Sequence, residues 1–270
     1  MTVSRRQSFK RFAAAASIPA IARAAGTDPQ PPIKLVVLDV GGTIIEDRGD
    51  VPEELRKALA NHGVGSTPAE IAKWRGAAKR EIIRHFVELQ SPPPNVDRNK
   101  LTSTIYDEFT ANLIAIYRSV PPVAGAEDVI RQLRKSGYLV ATTTGFDRAI
   151  CAPIFRRLGW EQHFVASICS DDVALGRPAP YMLFHAMEAA RVQNVAEVMA
   201  VGDTPLDLQA GNNAGVRGVV GVLTGAGTAE TLGRERHTDI ITSVAKLPAL
   251  LAKLSVLSGR SGARRWSRIG

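Results

Sequence analysis

Several absences narrow what this chain does before any positive motif is considered. It has two cysteines, Cys151 and Cys169, in 270 residues. That is too few for a disulfide framework and without metal-ligand spacing, so both read as small buried hydrophobes. The five histidines, His62, His85, His163, His185 and His237, also lack ligand spacing. There is no G-x-x-x-x-G-K-[ST], no G-x-G-x-x-G behind a strand and no G-x-S-x-G. P-loop nucleotide binding, dinucleotide binding and serine-esterase chemistry are therefore not expected. No apolar run approaches the ~20 residues of a bilayer span, so no permanent membrane span is expected. Acidic residues are missing from both ends. Residues 1–27 carry Arg5, Arg6, Lys10, Arg11 and Arg23, and residues 260–270 carry Arg260, Arg264, Arg265 and Arg268. These nine cations account for the whole formal charge of +8 and leave the middle at −1. A near-neutral folded part offers no clustered basic face for nucleic acid.

The acid-free start has the layout of a targeting segment. Ser4-Arg5-Arg6-Gln7-Ser8-Phe9-Lys10 resembles a twin-arginine export signal, a small-residue apolar run covers Phe12 to Ile21, and Ala22-Arg23-Ala24 has the A-x-A form of a cleavage site. The expectation is a periplasmic or exported protein that engages the export machinery through residues 1–27. An organellar transit peptide and a plain basic tail on a cytoplasmic protein are the competing readings.

After the proline-rich linker Pro29 to Pro32 comes the stretch around which the rest is arranged, LVVLDVGGTII, residues 35–45. Leu35 to Leu38 are apolar without alternation, as in a central strand covered on both faces. Asp39 falls at its carboxyl end, where ligands bind in open parallel sheets. Gly41 and Gly42 allow a tight turn with N–H groups free for an anion. Residues 43–51 read as a short hairpin with Arg48-Gly49-Asp50 at its tip.

Residues 51–119 then show helical periodicity and no strand. Pro52 suits a first helical position. Thr67-Pro68-Ala69-Glu70 starts a second helix that should run through Ile71, Trp74, Ala78, Ile82 and Phe86 until Ser91-Pro92-Pro93-Pro94-Asn95 breaks it, and a third helix covers about Asp97 to Arg118. Three helices without strands predict a small lid. Beyond Pro121-Pro122, helix and strand alternate: helix 126–135 and strand 138–142, helix 148–158 and strand 164–168, helix 180–191 and strand 198–201, helix 206–214 and strand 217–222. This predicts a doubly wound parallel sheet, an α/β Rossmann-like core over 28–50 and 120–256 with an all-helical cap inserted after its first strand. A basic tail is expected over 257–270.

Four stretches behind predicted strands should meet at one sheet edge: Asp39-x-Gly41-Gly42-Thr43, Thr143-Thr144-Gly145, Gly176-Arg177-Pro178, and Gly202-Asp203-Thr204-Pro205-Leu206-Asp207. Alone, each has a bland reading as a turn, a strand-end hydroxyl, a surface cation or a helix-start acid. Together, two carboxylates, a hydroxyl and a fixed cation fit an oxyanion clamped by Mg²⁺.

In order and spacing these four stretches resemble the haloacid dehalogenase-like hydrolase superfamily, over about residues 33–254. Thr143-Thr144-Gly145-Phe146, Ser170-Asp171-Asp172-Val173, Gly176-Arg177-Pro178-Ala179-Pro180 and the stretch HTDIITSVAKLPALL at 237–251 are most similar to its phosphonatase-like (phosphonoacetaldehyde hydrolase-like) branch. The resemblance implies Asp39 as a nucleophile that forms an aspartyl-phosphate. It implies Mg²⁺ on Asp39, the Gly41 carbonyl and Asp203, with Asp207 binding or supporting it. Gly41, Gly42, Thr43, Thr144, Gly145 and Arg177 would hold the phosphoryl group, with Arg177 standing where most of the superfamily has lysine. Phosphatases of the superfamily carry a second aspartate at position 41 as acid and base; Gly41 cannot transfer a proton. The phosphonatase branch lacks it too and uses a cap lysine as an imine electron sink. Trp74-Arg75-Gly76-Ala77-Ala78-Lys79 resembles its glycine-x-x-lysine loop, which makes Lys79 the expected amine, with Arg75, Arg80 and Arg84 as cations able to depress its pKa. Ile82 replaces the histidine of that branch, which leaves the substrate open among small phosphonates and phosphorylated metabolites. The competing readings are an ordinary phosphomonoesterase, in which Lys79 is a solvated helix residue, and a non-catalytic phosphate-binding relative. A homodimer through the cap completes the expected partners.

Overall fold

The computed structural model describes residues 31–90 and 96–262, with side chains to residue 255. The expected targeting segment, the break at 91–95 and the end of the expected tail lie outside the described residues.

Six parallel strands form one sheet in the order β3-β2-β1-β4-β5-β6: β1 (Leu35–Asp39), β2 (Leu139–Thr143), β3 (Ser167–Ile168), β4 (Val198–Gly202), β5 (Gly218–Val222) and β6 (Asp239–Ile241). β1 is central. Leu35 to Asp39 pair with Leu139 to Thr143 on one side, and Leu35 to Leu38 with Val198 to Val201 on the other. The chain moves outward in one direction through β2 and β3 and in the other through β4, β5 and β6. The switch point therefore falls at the carboxyl end of β1, where Asp39 stands.

The unbroken apolar character of β1 follows from burial on both faces. Val36 and Leu38 pack with Val140, Val201 and Val220 against α5 (Ala126–Lys135), α6 (Arg148–Leu158) and α10 (Leu247–Gly262). Leu35 and Val37 pack with Ala141, Ala200 and Val219 against α7 (Tyr181–Ala189) and α8 (Pro205–Ala214). A short α9 (Ala229–Gly233) precedes β6. Among the described residues no helix is long and apolar enough to cross a membrane.

Between β1 and α5 the described residues form four helices where three are expected: α1 (Asp50–Asn61), α2 (Pro68–Ala72), α3 (Lys79–Leu89) and α4 (Arg98–Tyr117). Thr67 and Glu70 close a capping box at the start of α2. That helix ends after five residues, because Gly76 takes φ +90° and turns the chain. The single long helix expected through Ile71, Trp74 and Ile82 is thus two helices joined by the loop 73–78. The hairpin at 43–51 is also absent. Ile45 bridges Pro122, and Gly49, in the left-handed region at φ 81°, caps a helix that begins at Asp50, two residues before Pro52. Ile83 and Phe86 of α3 and Ile105, Phe109 and Leu113 of α4 share one apolar cluster with Val36 and Leu38, so lid and sheet have a continuous core. At the far end α10 runs to Gly262, into the stretch 257–270 where a tail is expected.

Candidate active site

The four stretches converge at the carboxyl edge of β1, β2 and β4. Asp39 ends β1, Thr144 and Gly145 follow β2, Arg177 lies on the loop after β3, and Asp203 follows β4. They line a cleft of about 630 Å³, its mouth included.

Arg177 organises the floor. It is 5 % exposed. Its Nη1 donates to Asp39 Oδ1 at 2.7 Å and contacts Asp207 Oδ1 at 2.6 Å. Its Nη2 donates to the Thr143 carbonyl at 2.9 Å and to Thr143 Oγ1 at 2.8 Å. A planar guanidinium can anchor on the β2 strand end and present one nitrogen to two carboxylates, which an ammonium cannot. Burial disfavours its charge, but Asp207 and Asp39 outweigh burial and hold its pKa above the ordinary arginine value.

Asp207 opens α8 in a second capping box. Thr204 N and Oγ1 donate to Asp207 Oδ2 at 2.9 and 2.5 Å, and Asp207 N donates back to Thr204 Oγ1 at 3.3 Å. Both Asp207 oxygens thus have protein partners, an arrangement suited to supporting the site. Asp203 receives Ala226 N on Oδ2 at 2.7 Å and the Thr43 hydroxyl on Oδ1 at 3.4 Å.

Asp39, Asp203 and Asp207 each offer an oxygen within 4.8 Å of the others. Burial is the main reason the Asp39 pKa rises from 3.8 to about 6; Arg177 opposes the rise and Asp207 adds to it. Burial, then Asp39 and Asp207, push Asp203 well above its ordinary value. Three buried carboxylates against Arg177 and Lys79 leave a deficit of positive charge. All-oxygen donors in that state fit a hard divalent cation such as Mg²⁺.

Thr144 Oγ1 accepts the Phe146 N–H at 3.1 Å, which leaves its hydroxyl proton for another acceptor. Gly41 and Gly145 lie on the cleft wall, but Gly42 and Thr43 do not. The Gly42 N–H donates to Ile45 O at 2.7 Å inside the turn, and the Thr43 hydroxyl is spent on Asp203. The Gly42 N–H and the Thr43 hydroxyl are thus engaged inside the turn, behind Asp39 and Asp203.

Lys79, the first residue of α3, is buried in the same cleft at 6 % exposure. Its Nζ donates to Ala77 O at 2.8 Å and sits 5.4 Å from the Phe146 ring centre. Burial, then Arg177, lower its pKa from 10.5 to about 8, against the pull of Asp39, Asp207 and Asp203. The cation that acts on Lys79 is thus Arg177. The expected Arg75 pairs instead with Asp47 at 3.1 Å, Arg80 lies 4.2 Å over the Tyr106 ring, and Arg84 is exposed.

Loop 73–78 is seated directly on the core. A Cβ at Gly76 would stand 2.5 Å from Thr204 Oγ1, and one at Gly145 would stand 2.6 Å from Ala77 O. Glu81 of α3 accepts the Gly176 N–H at 3.1 Å, next to Arg177. At position 41 a Cβ would meet the Phe146 ring at 3.4 Å. The direction in which a side chain would leave residue 41 is therefore toward an aromatic wall.

Sequence reasoning names Thr204 within its stretch and Phe146 after Gly145 but gives neither a role, and it misses Tyr117, whose ring meets Phe146 edge-on at 5.4 Å. The T-x-x-D spacing of Thr204 and Asp207 was a readable capping signal. Tyr117 sits in an apolar helix pattern and gave none.

A family model described as haloacid dehalogenase-like hydrolase matches residues 33–215. The chain is similar to a phosphonoacetaldehyde hydrolase of Bacillus cereus, 32 % identical over 207 residues, which cover 72 % of this chain and 77 % of that protein. It is also similar to a plasmid-borne phosphoglycolate phosphatase of Cupriavidus necator, 28 % identical over 223 residues, 82 % of this chain and 94 % of that protein. Among solved structures, a phosphonoacetaldehyde hydrolase-like protein from Oleispira antarctica shares the fold, with TM-score 0.74, 22 % identity, and coverage of 87 % of this chain and 97 % of that one.

Proposed function

The chain belongs to the haloacid dehalogenase-like hydrolases, and from that premise we propose that it is a Mg²⁺-dependent phosphonatase-type enzyme that releases phosphate from a small carbonyl phosphonate. The observation that carries this reading is the pairing of a buried amine with a missing acid. Lys79 shares the cleft with Asp39, and residue 41 offers no proton donor. With its pKa near 8, about a tenth of Lys79 is unprotonated at pH 7, against well under one part in a thousand for an ordinary lysine.

The amine adds to the substrate carbonyl, and loss of water leaves an iminium on Lys79. Asp39 attacks phosphorus in line. The electron pair of the breaking carbon–phosphorus bond flows into the iminium, so the departing carbon needs no proton at that moment and Gly41 suffices. Water then hydrolyses the aspartyl-phosphate, and a second water frees Lys79 from the protonated enamine. The Thr144 hydroxyl holds a phosphoryl oxygen, and Arg177, whose Nη atoms are committed to Asp39, Asp207 and Thr143, supplies fixed positive charge beside it. Asp39, Asp203 and the Gly41 carbonyl would hold Mg²⁺, supported by Asp207; when bound it neutralises charge between nucleophile and phosphoryl group. Seating of loop 73–78 excludes water from the iminium. The same proposal includes a twin-arginine leader over residues 1–27 and pairing of two copies through the lid.

Phosphomonoester hydrolysis is the second reading. It is favoured by the similarity to the phosphoglycolate phosphatase and by Asp47, a carboxylate on the cleft wall that can act as a base toward the attacking water. The deciding experiment incubates protein, Mg²⁺ and phosphonoacetaldehyde with borohydride and maps the product by mass. A reduced adduct on Lys79 with phosphate released supports the imine route. Phosphate from small esters without an adduct supports the second reading. Turnover of neither refutes both.

A further inference from the structure

The part of the cleft lining that the lid contributes is mostly apolar. Its wall is built from Val51 and Leu55 of α1, Ile71 of α2, Trp74, Ile82 of α3 and the Tyr117 ring of α4. Leu55, Ile71, Ile82 and Tyr117 are each at most 4 % exposed, so they face the cleft and the core rather than solvent. The polar groups on this side are few. Arg75 and Asp47 neutralise one another at 3.1 Å. Among the described residues the Tyr117 hydroxyl has no hydrogen-bond partner. Burial, then Asp47 and Asp50, raise its pKa, so it remains a neutral donor.

A substrate fragment with several hydroxyls would leave them against Leu55, Ile71 and Ile82 without partners, at a cost in affinity for each. A fragment with a carboxylate would have to displace Asp47 from Arg75. A fragment of carbon with one oxygen meets neither obstacle.

Resting on the phosphonatase-type reading above, we infer that the fragment leaving phosphorus is an apolar carbonyl compound, an alkyl or aryl aldehyde or ketone seated on the Leu55–Ile71–Ile82 wall, with Tyr117 as its one neutral donor. For a 2-oxoalkylphosphonate the balance is simple. One water is consumed, the carbon–phosphorus bond is replaced by carbon–hydrogen, and a methyl ketone and phosphate are the products.

The test uses the full chain in two arms. In the first, kcat/KM with Mg²⁺ is compared for phosphonoacetaldehyde, 2-oxopropyl-, 2-oxopentyl- and 2-oxo-2-phenylethylphosphonate. The expected result is a rise of up to about fourfold per buried methylene along the alkyl members, with the phenyl compound above 2-oxopropyl. Hydrolysis of phosphonoacetaldehyde with flat or falling values for the longer compounds overturns the inference and leaves the phosphonatase-type reading intact. In the second arm, calorimetry without turnover compares methylphosphonate with phenylphosphonate, neither of which has a carbonyl for Lys79. Tighter binding of the phenyl compound by tenfold or more, with a negative heat-capacity change, supports the apolar site even if no carbonyl phosphonate is hydrolysed. Equal affinities overturn it.

Discussion

Replacing Lys79 by Met tests the physical state of the amine separately from its chemistry. A side chain whose pKa falls from 10.5 to about 8 on folding holds its charge in the folded state at a cost of about 3 kcal/mol near pH 7. Methionine has similar length and no charge, so the substitution removes that cost. It also removes the donor to Ala77 O, worth about 1 kcal/mol. The expected outcome in chelator-containing buffer at pH 7 is a variant more stable than the parent by about 2 kcal/mol, a rise in Tm of roughly 4–8 °C. The sign with pH follows from linkage. Between about 8 and 10.5 the unfolded parent keeps the proton that the folded parent has lost, so the parent gains stability as pH rises while the variant gains nothing from this site. The advantage of Lys79→Met should therefore shrink steadily over that window and reverse slightly above it. Denaturant titrations of both proteins at pH 7, 8.5 and 10 measure this difference. A variant less stable at pH 7, or a difference that does not change with pH, would show that Lys79 is a solvated amine and would remove the basis for its reactivity.

Three further outcomes are expected. Gly76→Ala forces a Cβ to within 2.5 Å of Thr204 Oγ1 at a residue with φ +90°, at a cost of roughly 1–3 kcal/mol; kcat/KM should fall at least tenfold, and limited proteolysis should cut within 73–78. Mg²⁺ should raise Tm more at pH 7.5 than at pH 5. In metal-free protein the stability from the raised Asp39 pKa is full below about 4 and lost as pH rises through about 6, so the free carboxylates that bind the cation form only at the higher pH; an equal shift at both values, read by scanning fluorimetry, would count against Asp39 as a ligand. Arg177→Lys retains charge but loses both bonds to Thr143, and steady-state kinetics should show kcat reduced roughly ten- to hundredfold.

What the sequence discloses here follows physical range. β1 was legible because burial on both faces requires an unbroken apolar run, and Asp39 because the strand has to end on something. The capping boxes at Thr67 and Thr204 are local chemistry and equally legible. The joint between α2 and α3 was not, because Ile71, Trp74, Ala78, Ile82 and Phe86 keep helical spacing across it, and only the contact between Gly76 and Thr204 requires the turn. The 43–51 segment looked like a hairpin because a glycine between charged residues suits a tip as well as a helix start; the pairing of Ile45 with Pro122 decided it, and that pairing is tertiary. The burial of Lys79 was beyond local reading for the same reason, since Phe146 and Arg177 come from loops behind β2 and β3, far along the chain.

The seat of Gly76 on Thr204 bears on how such a molecule can diversify. Thr204 Oγ1 also caps α8 through Asp207, Asp207 holds Arg177, and Arg177 holds Asp39. A lid taken from a related protein that brings any side chain at position 76 asks for a smaller residue at 204, and a smaller residue there gives up the cap. Positions 76 and 204 therefore have to be inherited together. Recombination at the lid boundaries separates them, so new lids should be acquired less readily through shuffling than through gradual change inside the wall formed by Leu55, Ile71 and Ile82.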